Sequence, residues 1–426
     1  MLRRLNLLCV GLRFCALFVG LLASGCGSPT RLDAVPANLE EKAVVHDMTG
    51  IRFWADSEDV AAMASAGHDT VVREQAYLAS TGHQGPLPPA NFLAISGGGE
   101  NGAFGAGLLV GWTAAGTRPM FKLVTGISTG ALTAPFAFLG PAYDEKLREV
   151  YTNLSGKDVL EERGFMAALF DDAMADNAPL RATIARYFDQ PMLDAIAEEY
   201  RKGRILLIGT TNLDARRPVI WNIGAIAERR DPGALDLVHD ILLASAAIPG
   251  AFPPVMIKVN ANGKIYEEMH VDGGASTQVF VYPPSLEITS TGIKRDRHLY
   301  VIRNARLDPE WSQVERQTLS IAGRAISSLI QTQGVGDLYR IYLTAKRDNV
   351  DFNLAYIPRS FTRTLQEPFE TAYMKELFNV GYDLAVKGYP WSKSPPGFAV
   401  PELKTSASTQ NKTTGQSAGS GTYATQ

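Results

Sequence analysis

Cysteine is nearly absent from this 426-residue chain: three occur, at positions 9, 15 and 26, and none follows Cys26. Everything beyond that point therefore folds without an internal disulfide. An excess of positive charge is also missing. Lys and Arg number 41 against 44 Asp and Glu, for a net charge of −3, so no basic field exists to attract nucleic acid. No apolar run is long enough for a stable membrane span, since Phe14 to Leu22 is the best candidate. What remains is ordinary for a globular protein: 46% hydrophobic and 20% charged residues, enough for one large domain or two ordinary ones. No internal repeat is visible.

The N-terminus has a direction to it. Arg3 and Arg4 form a short positive region, the apolar stretch follows, and Ala23-Ser24-Gly25 leads into Cys26. This is the pattern of a secretory signal over residues 1–25. Its end resembles a bacterial lipobox, with one departure: Ala23 stands where Leu is preferred, and Leu22 comes one position early. The resemblance implies lipidation of Cys26, giving a membrane anchor of two or three acyl chains. Gly27, in place of Asp, favours the outer membrane. The plainer alternative is a cleaved signal with an incidental cysteine. Residues 26–45 read as a tether and 46–90 as an N-terminal helical extension, its helix running from Asp56-Ser57-Glu58 to about Leu78. The main domain is expected over 91–390. A tail over 391–426, rich in Ser, Thr, Gln and Gly, is expected to be disordered.

Within the main domain, strands and helices alternate, which argues for α/β architecture with a largely parallel sheet. Strands are expected at 92–95, 121–125, 205–209 and 299–302. A hairpin is expected at 255–259 and 264–268 around Asn260-Ala261-Asn262-Gly263. Helices are expected at 129–139, 311–331, 335–346 and 369–387. Trp311, Leu319, Ala322, Ile326 and Leu329 have the spacing of a buried helical stripe. Phe165 to Phe170 is an apolar run suited to core packing or to the border of an acyl groove.

Three segments carry chemistry. Ser96-Gly97-Gly98-Gly99-Glu100-Asn101-Gly102 lies between a strand and a helix. Consecutive glycines let a backbone approach a ligand and aim its N–H groups at one point, and the helix start favours an anion there. A phosphate cradle, an oxyanion hole and mere tight packing all fit this loop. A dinucleotide site would also need an acidic residue about twenty positions on; Arg118-Pro119-Met120-Phe121-Lys122 offers none. Gly126-Ile127-Ser128-Thr129-Gly130 follows a strand and precedes a helix, the context that projects a nucleophilic serine. Gly415-Gln416-Ser417-Ala418-Gly419 matches the same pattern without strand or helix, so context selects Ser128. The third segment is Asp272-Gly273-Gly274. A serine needs a base, and a desolvated carboxylate serves. Of the six histidines, His270 is the serious rival, two residues from Asp272. His46, His68 and His83 precede the core, and His298 begins a strand.

Together these segments resemble the patatin-like phospholipases, which pair a Gly-Gly-Gly-x-Arg/Lys-Gly loop, a Gly-x-Ser-x-Gly elbow and an Asp-Gly-Gly/Ala motif in this order. Ala244 to Pro254 resembles a fourth family segment near the active site. The likeness runs from about Asn91 to Gly274, and more loosely to Lys387. It implies a three-layer α/β fold with a mostly parallel central sheet flanked by helices. It implies Ser128 and Asp272 as catalytic dyad, and Gly97, Gly98 and Gly99 as oxyanion hole. Gly102, Gly126, Gly130, Gly273 and Gly274 fill the motif glycines. The substrate implied is a lipid acyl ester, of the phospholipase A or lysophospholipase kind, and no metal or cofactor is needed. One departure is that Asn101, preceded by Glu100, stands at the family's basic position. That leaves neutral lipids, lysolipids and simple esters open as substrates. A silent lipid-binding lipoprotein of the same fold and a non-phospholipid carboxylesterase are the alternatives.

Overall fold

The computed structural model describes residues 31–57, 60–163, 172–289 and 292–398. The signal segment, Cys26, the run Phe165 to Phe170 and the second elbow-like motif at Ser417 lie outside the described residues. The chain divides at Pro395 into two units, and every element below belongs to the first.

Eleven strands occur among the described residues: β1 (Arg52–Trp54), β2 (Ala90–Ile95), β3 (Leu123–Ile127), β4 (Glu161–Glu162), β5 (Ala175–Asp176), β6 (Ile205–Asn212), β7 (Arg217–Asn222), β8 (Val255–Ala261), β9 (Lys264–Asp272), β10 (Arg297–Arg303) and β11 (Asp351–Tyr356). The helices are α1 (Ala61–Ser80), α2 (Gly102–Ala114), α3 (Thr129–Leu139), α4 (Asp144–Asn153), α5 (Ala178–Tyr187), α6 (Gln190–Arg201), α7 (Ile223–Arg229), α8 (Ala234–Ser245), α9 (Thr318–Arg347) and α10 (Thr371–Val386). Strands β6, β3, β2, β10 and β11 lie side by side in that order, all parallel. Leu93, Ala94, Val124, Leu206 and Ile208 on them are fully buried, as expected of parallel strands covered on both faces. Helices flank this sheet, giving the expected α/β architecture. Antiparallel strands extend it beyond β6: β7 and then β1 on one side, β9 and then β8 on the other. Strands β4 and β5 pair separately.

The expected hairpin is β8–β9, turning at Asn262 and Gly263, both with positive φ, as a tight primed turn requires. Strand β9 runs on to Asp272, four residues past the expected end. Its last residues pair with β6, whose remaining edge residues supply the hydrogen-bond partners.

Five expectations change. The tail expected from 391 is held to the domain at its start: Ser392 exchanges backbone bonds with Leu354 and Lys393 pairs with Asp351 at 2.9 Å. The segment read as a tether is fixed to the domain from Arg31 onward: Arg31 pairs with Asp214 at 2.7 Å, and Val44 exchanges backbone bonds with Asn260. Val45 and Met48 are buried. The N-terminal extension is more than helical, since β1 adds an edge strand to the sheet before α1. The two helices expected over 311–346 are one, α9. Finally, the stripe there is not buried: Trp311 is 87% exposed and Leu329 70% exposed. Only the second half of α9, with Leu338, Ile341 and Ala345, packs into the core. Periodicity marks an apolar face and says nothing about what covers it.

Helix α2 lies against α10 at very short range. A Cβ at Gly107 would lie 1.9 Å from the Phe378 carbonyl oxygen, and one at Gly381 2.3 Å from that of Phe104. Glycine at both faces lets the backbones touch, which presses α2 onto the sheet and sets the loop before it. Gly107→Ala is expected to overpack this contact and cost about 3 kcal/mol, read as a lowered denaturant midpoint.

Candidate active site

Three loops leave the C-terminal ends of neighbouring strands, the edge where open α/β sheets bind ligands. The turn after β3 holds Ser128 at φ 55° and ψ −128°. A non-glycine residue in this region costs about 1–3 kcal/mol and persists only when its surroundings over-determine it. Here they do. Gly126 has no room for a side chain, since a Cβ would meet the Gly130 carbonyl oxygen at 2.3 Å; a Cβ on Gly130 would meet that of Ile95 at 2.3 Å. The Ser128 amide donates to Ser245 Oγ at 3.0 Å, and that hydroxyl donates to the Gly209 carbonyl at 2.7 Å. Ser245 comes from the end of α8.

Asp272 ends β9. Its amide donates to the Ala247 carbonyl, and its Oδ1 accepts from the Gly274 amide at 2.7 Å. The Ser128 side chain lies close enough to this carboxylate to favour its ionised form. Burial pushes this carboxyl up to about 6, while the bonds from Ser128 and Gly274 pull the other way. Such a group is an anion at neutral pH with raised proton affinity, suited to take a hydroxyl proton.

The glycine loop after β2 divides its duties. The Gly97 amide donates to the Gln278 carbonyl at 3.0 Å, so it is spoken for and is withdrawn from the expected oxyanion hole. Among the described residues no acceptor engages the Gly98 and Gly99 amides. Gly98 is pressed against Asn304, whose carbonyl oxygen would lie 2.3 Å from a Cβ there. Asn304 clamps the loop: its amide donates to Ser96 Oγ, its Nδ2 donates to the Ser96 carbonyl, and its Oδ1 accepts from the Gly105 amide. Gly102 packs on Thr129, and Gly273 on the Gly209 carbonyl. Gly274 offers its own carbonyl to Gln278 Nε2 at 2.9 Å.

Asn101 is turned away from the site, accepting a hydrogen bond from the Tyr373 hydroxyl at 2.7 Å. His270, the rival base, is fully buried two residues back along β9. Trp221 Nε1 donates to Thr210 Oγ1, whose hydroxyl reaches His270 Nδ1 at 3.0 Å. His270 Nε2 reaches Glu268 at 3.0 Å, and Arg52 forms an ion pair with the same carboxylate. Both ring nitrogens are thus engaged away from Ser128. Ser245, Asn304 and Gln278 were not anticipated from sequence. Only Ser245 had a signal, its place in the Ala244–Pro254 segment.

Beside Ser128 opens a slender cavity of about 90 Å³ between α3, α4, α5 and α8. Leu132, Phe136, Leu180, Ile184, Leu242 and Phe252 make its wall apolar, and among the described residues Glu100 is its one charged lining residue. Among the described residues no group of three His, Cys, Asp or Glu is placed to hold a metal ion.

The two buried polar arrays should separate by mutation. His270→Gln is expected to lower stability by about 3 kcal/mol, the cost of opening a buried charged array, with kcat per folded molecule unchanged. Ser245→Ala is expected to lower kcat about tenfold at similar KM, because the freed Ser128 amide lets the elbow relax. Thermal melts alongside steady-state kinetics check both.

Residues 93–283 match the family model described as patatin-like phospholipase. No curated protein matches the chain. Among solved structures it is similar to VipD from Legionella pneumophila, at 11% identity and a TM-score of 0.35 over 71% of this chain and 67% of that one. It is also similar to the human GIVD cytosolic phospholipase A2, at 9% identity and a TM-score of 0.31 over 74% and 56%. ExoU from the Pseudomonas aeruginosa type III secretion system, in complex with SpcU, gives 11% and 0.28 over 71% and 52%. The chain thus spans little more than half the length of the latter two. The match over 93–283, a little under half of the chain, makes this region similar to a patatin-like phospholipase domain.

Proposed function

We propose that this protein is a serine acyl-ester hydrolase acting on lipid acyl esters, with Ser128 as nucleophile and Asp272 as its base. The observation that carries the reading is a cavity-lining Ser128 on a strained turn, its side chain beside the buried, desolvated carboxylate of Asp272. Asp272 accepts the Ser128 proton as the oxygen attacks the ester carbonyl. The Gly98 and Gly99 amides, and the start of α3, face the negative charge that develops on the carbonyl oxygen. The intermediate collapses to an acyl-enzyme, and the alcohol leaves with the proton. Water, deprotonated by the same carboxylate, then releases the acid. The apolar cavity suits one slender acyl chain and favours lipid esters over polar ones.

Ser128→Ala is expected to abolish hydrolysis of acyl esters and labelling by a fluorophosphonate, with folding intact. Normal turnover in this variant would refute the nucleophile. Ser417→Ala is expected to be silent. Because Asp272 must be ionised to act, log kcat/KM for an uncharged ester should rise with pH and bend near about 6. Asp272→Asn should abolish activity yet leave the protein at least as stable at pH 7. The sign follows from linkage: the folded-state pKa is raised above the unfolded value of 3.8, so the unfolded chain binds fewer protons between the two. Stability is then lost as pH rises through that window, and an uncharged Asn escapes the loss.

For the envelope, we infer export through the signal over 1–25 and lipidation at Cys26, with the outer membrane as destination. The motif around Cys26 supports this reading. Mass spectrometry of the mature protein should find an acylated Cys26 at its N-terminus, and Cys26→Ala should release the protein from membranes. Unmodified Cys26 would sink the idea.

A further inference from the structure

The cavity contains a chemical asymmetry that the hydrolase reading does not use. Among the described residues its lining includes no Lys, Arg or His, and the one ionisable carboxyl there is Glu100. Glu100 sits on the same short helical turn as Gly99, directly after the two amides assigned to the developing oxyanion. No basic side chain forms an ion pair with it among the described residues. Tyr373 on α10 feels the Glu100 charge while its hydroxyl is spent on Asn101. Asn101 therefore does not turn towards the cavity to offset Glu100. A substrate bound for attack by Ser128 meets a potential that is negative wherever Glu100 is ionised, in an environment where water screens poorly.

We propose that Glu100 is a specificity-determining residue that selects acyl esters of uncharged alcohols and disfavours those whose alcohol part carries a phosphate. This rests on the assignment of Ser128 as nucleophile. A phosphate ester would bring its fixed negative charge to within a few bonds of the scissile carbonyl, beside the carboxylate and far from any cation on the cavity wall. An uncharged glyceride brings none. Burial also raises the Glu100 carboxyl above the usual range, so its charge is itself adjustable by pH. The groups facing it leave that titration readable. Tyr373 is pushed up to about 12 and stays neutral; Arg306 and Glu310, the other charges that act on Tyr373, are of opposite sign. Asp272 also ionises as pH rises, through about 6, but its ionisation multiplies the rates of both substrate classes alike and cancels in their ratio.

The test uses the full chain and two substrates with one acyl chain, 1-monooleoylglycerol and 1-oleoyl-lysophosphatidylglycerol, presented in the same neutral detergent micelles. The phosphodiester carries a single charge that does not titrate across the working pH range. The wild type should favour the glyceride in kcat/KM by about tenfold, the scale of one like-charge repulsion at intermediate dielectric. This ratio should grow as pH rises. Glu100→Gln should bring the ratio severalfold closer to one and flatten its pH dependence, and Glu100→Lys should reverse the preference. Each variant is compared only with itself, so a general loss of rate does not blur the outcome. Should these variants fold poorly, the pH dependence of the wild-type ratio decides. A wild-type ratio near one, or one that is flat with pH, overturns the inference and leaves the hydrolase reading standing. An unchanged ratio in Glu100→Gln does the same. Absence of all ester hydrolysis, or turnover surviving in Ser128→Ala, brings down the hydrolase reading and this inference with it.

Discussion

The site depends on one shared edge. Strand β6 pairs along that edge first with β3, up to Ile127 opposite Gly209, and at the next residue with β9, Thr210 opposite Asp272. Two strands arriving from opposite directions therefore end against each other, β3 handing the chain to Ser128 and β9 handing it to Asp272. Backbone hydrogen bonds fix both registers, and slipping either strand by one residue would turn its side chains to the other face. The junction is packed as tightly as it is paired. A Cβ at Gly273 would lie 2.6 Å from the Gly209 carbonyl oxygen, while Ser245 donates to that same carbonyl and accepts from the Ser128 amide. The strained backbone at Ser128 is held by this arrangement rather than by its own preference.

Two buried carboxylates of one strand then end with opposite shifts, because their partners differ. Glu268 and Asp272 lie four residues apart on β9, and both are almost fully buried. Glu268 has Arg52 and His270 beside it and is held down to about 2, although desolvation alone would raise it. Asp272 has only a hydroxyl and an amide as partners and rises to about 6. Neither hydrogen bond brings a formal charge, so desolvation dominates. One carboxylate is committed to holding the edge of the sheet in place, the other kept responsive to protons. That contrast, and not the mere presence of an acid near a serine, separates structural from chemical roles here.

Much of this was legible in the sequence. Helix α3 begins and ends at the expected residues, and the strand–turn–helix context singled out Ser128 from its copy at Ser417. What stayed hidden was of two kinds. Ser245 and Asn304 act through contacts 117 and 208 residues away along the chain, and no local pattern encodes a partner at that distance. Strands β1, β7 and β11 were missed for a different reason. Arg52-Phe53-Trp54 is three residues long, and Arg217-Pro218 opens β7 with a proline that argues against a strand. The stripe on α9 misled in the opposite sense, because an amphipathic period reports a face and tertiary packing decides whether that face is covered.

The glycine loop shows why a side chain there can vary in charge without removing the chemistry. Its two disengaged donors are main-chain amides, which every residue but proline supplies, and their aim is set from outside the loop. Asn304 grips Ser96 and Gly105, and the Gln278 carbonyl takes the Gly97 amide. The positions after Gly99 are then released from holding the loop in shape. Asn101 uses its side chain to dock on Tyr373, while Glu100 faces the cavity. On the proposed reading, stabilising the oxyanion is a property of the backbone, and sorting the alcohol by charge falls to one side chain beside it. Since a carboxylate next to a forming oxyanion opposes it, Glu100 serves the reaction best when protonated, and burial moves it in that direction. The same desolvation that gives Asp272 its basicity therefore limits the harm Glu100 does to the step it adjoins.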